Sequence, residues 1–545
     1  MKKLCLLIVF VLCFAVISPL TACKKEEKLV LNVYNCEEYI AEGEDFDMID
    51  EFEKYYYATH KKHVTVNYST YGTNENMYNE LKLTKNKKSG TYSYDLVCPS
   101  DYMLMKMITE NMLEEYDLDE DGNYVNIPNY NDNVSPYIKN LFQTNGWNKY
   151  GVCYMWGTMG YVYNPEKVAH EDMKSWTGIL NDKYKMKSTI KDSARDTYIL
   201  AQGIAYKEEL DAFDKSATNY NELITNVFND TSESALKRSE DVLRKVKEIV
   251  YGFEVDSGKS DMASGKIWIN FAWSGDAVYA IDEAEKYGTE LYYSVPEEGS
   301  NIWFDGWVMP KGANKELAQE FLNFVNDPQN TIENMNYIGY TPSVAGDELF
   351  ENAIDWYGLY VLNEQEGGEI SLGGKTYNEV YFGDLNEASK NALKNADGTY
   401  TLNIPEYDDN DEIIGFYTDN VEVYSYDVDY FFSNVSDEYK KDGKALIYTD
   451  TVGRQFSTQY PDGDTVNRCI IMKEFTKSEN NDLNNMWSSV KIGYMSPLAM
   501  ILILVAVALL IVTVIAVNKL IKSGKFGYGK TRKGLKLISK KEIKN

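Results

Sequence analysis

Leu29-Val30-Leu31-Asn32-Val33-Tyr34-Asn35 opens the folded part of a 545-residue chain. The run is short and apolar, so it reads as a buried strand. Phe46–Tyr56 then carries apolar residues at helical spacing, and Val64–Thr70 alternates as a strand. Asn74–Leu83 reads as a helix capped by Asn74. Tyr94–Cys98 is a further strand, ended by Pro99-Ser100. Strand and helix keep alternating, which predicts an α/β fold with a mostly parallel sheet. Such sheets bind ligands at the carboxyl ends of their strands. The loops after Asn35, Cys98 and Phe271 are therefore the candidate site loops.

The two ends speak to location. Lys2 and Lys3 precede an uncharged apolar stretch from Leu4 to Leu20, followed by Leu20-Thr21-Ala22-Cys23. This order predicts a secretory signal over residues 1–22. Cys23 makes it resemble a bacterial lipobox, whose Cys is lipidated, and residues 23–28 read as a charged tether. Pro497 to Val517 is 21 residues without a charge. At 1.5 Å per residue it is long enough for a hydrocarbon core of about 30 Å. The tail 518–545 holds ten Lys/Arg and one Glu, so the positive-inside rule makes it cytoplasmic and the main domain extracytoplasmic.

Removing the +9 of that tail and the +2 of Lys2 and Lys3 from the total of −29 leaves −40 on the exported part. So acidic a surface argues against nucleic-acid and phosphate-rich partners and is compatible with cationic ligands. Cys36, Cys98, Cys153 and Cys469 are scattered without a CxxC pair, which argues against zinc. There is no GxSxG, no phosphate-binding glycine loop and no HExxH, so nothing supports an enzyme, a cofactor or a metal. His60 and His63 read as part of a solvated loop. From 346 to 443 Tyr, Asp, Asn and Gly become dense, as in Tyr407-Asp408-Asp409-Asn410-Asp411, and the segment reads as an insertion or subdomain.

Several segments resemble bacterial spermidine/putrescine-binding proteins, in family order. They are Leu31–Asn35 with Glu38-Tyr39-Ile40, Ser69–Tyr78, Tyr94–Ser100, Tyr154–Thr158, Trp273–Ala277, Pro296–Ser300, Trp303-Phe304-Asp305 and Ile338–Pro342. The resemblance implies a two-lobed, type II periplasmic-binding-protein fold with a hinge. It places a first lobe in 29–152, a second in 153–295, a return to the first in 296–345, and packing helices in 444–490. It also implies a monomer that captures polyamine and delivers it to ABC permease subunits driven by a cytoplasmic ATPase.

A polyamine site needs carboxylates for the ammonium groups and aromatic walls for charge and methylenes. Trp303 and Asp305, two apart, share one face if their stretch is extended. By resemblance these two hold the ligand, Trp273 is a second wall, and Tyr39, Tyr102, Tyr340 and Ser100 supply ring or hydroxyl contacts. Asp196 matches a carboxylate that binds an amine, and Glu38 lies in the first site loop. Three positions depart from the pattern. Cys36 stands where relatives often carry Trp. Glu37 stands where a small polar residue is common, and is either an extra carboxylate or solvated. Ser193 stands where spermidine-preferring relatives can carry Asp, which leaves room for putrescine. Asp276 reads as a helix-start residue. The other readings open at this point are a binding protein for iron, sugar or another organic cation, and a surface receptor or adhesion module.

Overall fold

The computed structural model describes residues 29–357, 424–449 and 453–492, the strands between 361 and 419, and residues 513–515 and 517. The signal, Cys23, the tether, the tail and most of 497–517 lie outside the described residues. Among the described residues no helix is long and apolar enough to cross a membrane. The chain divides into two compact units, 1–483 and 484–545, and the fold and cleft described here belong to the first.

The predicted β/α alternation forms one large sheet. Its strands are β1 (Leu29–Cys36), β2 (Val64–Tyr71), β3 (Leu96–Val97), β4 (Gly151–Tyr163), β5 (Ser188–Lys191), β6 (Gly252–Glu254), β7 (Ile269–Trp273), β8 (Tyr292–Ser294), β9 (Ser300–Val308) and β10 (Thr341–Pro342). The main path runs β2-β1-β3-β9-β4-β7-β5-β6. The flanks are parallel: β1 pairs β2 and β3, and β5 pairs β6 and β7. The centre is not. β9 is antiparallel to β3 and β4, and β4 is antiparallel to β7. This corrects the mostly parallel expectation. A chain that leaves one strand group along β4 and returns along β9 must run those two strands in opposite directions.

β4 and β9 are buried along their whole lengths. The N-terminal half of β4 pairs β9, from Gly151 opposite Val308 to Thr158 opposite Ile302, with a register shift between Cys153 and Trp156. Its C-terminal half pairs β7 and β8. These strands are thus shared by both strand groups, and an irregularity sits where a bend between the groups would act. Trp156 and Trp307, one from each strand, are fully buried. The Trp307 ring lies 5.1 Å from Tyr154 and 6.3 Å from Phe321.

Local signals differ in detail from the sequence reading. Thr73, not Asn74, caps the helix Asn74–Thr84, accepting from the Asn76 N–H. Asn74 is freed to bond Ser100, donating Nδ2 to the Ser100 Oγ at 2.9 Å. His60 is the last residue of the helix Met48–His60 and contacts Glu320, while the His63 ring stacks on Tyr57. Within 346–443, Asp347–Tyr357 is helical, and strands between 361 and 419 form a separate antiparallel sheet. Tyr424–Asp427 pairs Lys444–Thr449, and the Phe431 ring packs 5.2 Å from Trp156. Trp307→Ala should destabilise the fold by ~3–5 kcal/mol, the usual cost of emptying a buried tryptophan site. Urea unfolding measures this, and a loss under about 1 kcal/mol would contradict the packing described for the shared strands.

Candidate functional site

The carboxyl ends of β1, β3, β5 and β7 converge on a cavity of about 120 Å³, closed on one side by β9. All eleven sequence-predicted residues line it: Glu37, Glu38, Tyr39, Ser100, Tyr102, Ser193, Asp196, Trp273, Trp303, Asp305 and Tyr340. Each enters from a strand end or the loop after it, from the start of the helix that follows, from β9, or, for Tyr340, from the segment just before β10. Two glycines let the walls approach. A Cβ on Gly157 would lie 2.6 Å from the Trp303 ring, and one on Gly275 would lie 2.3 Å from the Tyr340 ring.

Asp305 is the centre of one end. It sits mid-strand in β9 at 8% exposure, two residues from Trp303, which lines the same cavity. The Tyr39 hydroxyl donates to its Oδ2 at 2.7 Å, while Oδ1 is buried with no hydrogen-bond partner. Burial pushes the carboxyl up to about 6; the Ser100 and Tyr39 hydroxyls oppose this, and Asp196 adds to it. Asp196, in the first turn of the helix Ala194–Ala205, is also pushed by burial to about 6. Tyr39 packs edge-on against Tyr340 at 4.8 Å, and Tyr340 lies 5.8 Å from Trp303. The Tyr102 hydroxyl donates to Glu75 at 3.1 Å, and the Arg195 guanidinium lies over the Tyr102 ring at 4.6 Å.

The other end contains groups that the sequence reading missed. Lys191, the last residue of β5, is 1% exposed. Its ammonium donates to Asp276 Oδ2 at 2.8 Å and to the Val255 carbonyl at 2.7 Å, and lies 3.4 Å from Glu254. It also sits 4.1 Å from the centre of the Trp273 ring. Burial acts to lower the Lys191 pKa, yet Asp276 and Glu254 carry it above the ordinary lysine value. Burial likewise acts to raise Asp276, but Lys191 and Lys259 hold it below the ordinary range. Asp276 is therefore more than a helix-start residue: it accepts from Lys191 and from the Tyr340 hydroxyl at 2.9 Å. Lys259 pairs with Glu38 and lies 3.8 Å from Asp276. Removing one partner from such a buried pair costs ~3–5 kcal/mol, because the other charge is left uncompensated.

Asp101 was also missed. It accepts from the backbone N–H groups of Tyr102 and Phe304, and burial still pushes it to about 8. No run of sequence marks these groups, because Lys191 and Asp276 are 85 residues apart. Met472 lines the cavity from the segment that follows the short strand Cys469–Ile470, which pairs β9. In all, ten carboxyl side chains and two ammonium groups line the cleft. Such a cavity suits a cation with apolar length between its charges. Among the described residues no cluster of three or more His, Cys, Asp or Glu could hold a metal ion.

Comparison with known proteins agrees with the geometry. Residues 47–349 match the family model of bacterial extracellular solute-binding proteins. A spermidine/putrescine-binding periplasmic protein of Salmonella typhimurium is 28% identical over 334 residues, 61% of this chain and 82% of that protein. Its Escherichia coli K12 counterpart is 27% identical over 372 residues, 66% and 93% of the two chains. A putrescine-binding periplasmic protein of Pseudomonas aeruginosa is 28% identical over 340 residues, 60% and 81%. A solved ABC-transporter chain from Listeria monocytogenes superposes with a TM-score of 0.53 at 22% identity, covering 85% of this chain and 98% of that one. This likeness supports the two-lobed α/β fold expected from the sequence. With more than half of its length matched, the chain belongs to the bacterial extracellular solute-binding proteins.

Proposed function

We propose that this protein is the polyamine-capturing component of an ABC importer, and that it binds the ligand's ammonium groups with Asp305 and Asp196. The observation that carries the reading is Asp305. It is a buried carboxylate with one oxygen unpaired, beside the rings of Trp303 and Tyr39, in a cleft with a large excess of acid. A buried carboxylate without a counter-charge is unfavourable, and an ammonium group corrects it. Aromatic walls add ~0.5–2 kcal/mol per cation and cover the methylenes. The relatives named above are polyamine-binding periplasmic proteins, which supports the same ligand class. Ser100 and Tyr102 line the ligand's path, Glu37 and Glu38 edge it, and Ser193 caps the helix that carries Asp196.

In this reading the strand groups joined by β4 and β9 close over the ligand and present it to a membrane permease. The protein acts as a monomer held at the outer face of the membrane, through lipid on Cys23 and the 497–517 segment, with a cytoplasmic tail. One acyl chain gives marginal anchoring, so the apolar segment would be the lasting tether. The chain carries out no reaction of its own.

Asp305→Asn keeps the shape of the side chain and removes the charge. It should weaken putrescine or spermidine binding at least 100-fold, equivalent to ~3 kcal/mol, with the melting temperature little changed. Calorimetric titration of the purified full-length protein in detergent measures it, and unchanged affinity would remove the central residue of the reading.

Binding should also depend on pH. Asp305 and Asp196 titrate near 6, above the ordinary aspartate value near 4. Groups raised in this way favour the ligand-free fold most at low pH, and that contribution is lost as pH rises from about 4 to about 6. A cationic ligand pairs with the ionised forms, so its stabilising effect should grow from pH 5 to pH 7. Thermal melts with and without putrescine at the two pH values test this, and equal shifts would contradict it.

A further inference from the structure

Of the places where the cleft brings an aromatic face and a carboxylate together, one already holds a cation from the protein itself. The Lys191 ammonium lies over Trp273 and is bonded to Asp276, with Glu254 at its other side. The Val255 carbonyl takes a further donor. This is the environment that a ligand ammonium would seek: a ring face, a carboxylate and a carbonyl, all shielded from water. By contrast, Asp305 Oδ1 is buried with no hydrogen-bond partner, and Asp196 feels Lys191 and Arg195 only from beyond ion-pair distance.

We propose that Lys191 is a tethered ammonium that fills the Trp273–Asp276 position and limits the ligand to two charged amines, selecting diamines over triamines. The proposal rests on the polyamine reading above and deepens it. A two-amine chain can pair one end with Asp305 and the other with Asp196. A third ammonium directed at Trp273 would meet a fixed like charge, and repulsion of this kind is how a site rejects a near-relative of its ligand. Displacing Lys191 is no alternative. The side chain is buried, held by Asp276 and the Val255 carbonyl, and attached at the end of β5. Lys259 strengthens the exclusion, because it stands 3.8 Å from Asp276 and bonds Glu38.

The test is calorimetric titration of the full-length protein and of Lys191→Met with putrescine and with spermidine. Methionine keeps an unbranched apolar stem and removes the charge. The natural protein should bind putrescine at least tenfold more tightly than spermidine. In Lys191→Met the ratio should move at least tenfold toward spermidine, whose extra ammonium replaces the lost one, and spermidine should raise the variant's melting temperature more than putrescine does. A natural protein that binds spermidine as tightly as putrescine overturns the proposal, whether or not the variant folds. A folded variant with an unchanged ratio overturns it as well. Folded protein that binds neither amine fails in a different way, because it removes the polyamine reading on which Lys191's role rests.

Discussion

A carboxylate held out of water on a strand that both halves of the molecule share is the constraint on which this structure turns. Asp305 sits in β9, whose nine residues are all buried. Its position fixes much around it. Tyr39 must come from the loop after β1 to donate to Oδ2, and Ser100 must come from the loop after β3. The aromatic contacts of Tyr39 with Tyr154 and Tyr340 then tie that loop to β4 and to the segment before β10. The unfavourable burial of the carboxylate is tolerated because the rest of the fold is over-determined, which is a common arrangement at binding sites.

The cleft divides its charge unequally. At one end two aspartates are raised toward neutrality and form no close ion pair among the described residues, although Lys191 and Arg195 act on Asp196 from farther off. At the other, Lys191 and Asp276 are fully compensated. The first arrangement is prepared for a cation, and the second is complete without one. Both are buried and acidic, so composition alone cannot distinguish them. The distinction lies in hydrogen-bond partners.

Much of the lining of the candidate site was legible in the sequence. β/α alternation located the loops, and the two-residue spacing of Trp303 and Asp305 placed both on one cleft wall, as a period-two strand requires. Resemblance supplied Asp196, Tyr39 and Tyr340, and all three line the cavity. The antiparallel centre was not legible, because alternation records local order and not where the chain crosses from one strand group to the other. Lys191 was also hidden. It ends a strand, where lysine is ordinarily solvated, and its burial depends on Asp276 and Glu254, which lie far away in sequence. Asp101 was masked by its place at a helix start, where an acidic residue is expected for capping reasons alone.

A crystal structure of the protein with putrescine decides whether Asp305 holds the ligand. One ammonium should lie at hydrogen-bond distance, ~3 Å, from Asp305 Oδ1, the other beside Asp196, with Lys191 still bonded to Asp276. A ligand ammonium over Trp273 with Lys191 displaced, or a ligand lying away from Asp305, would contradict this placement.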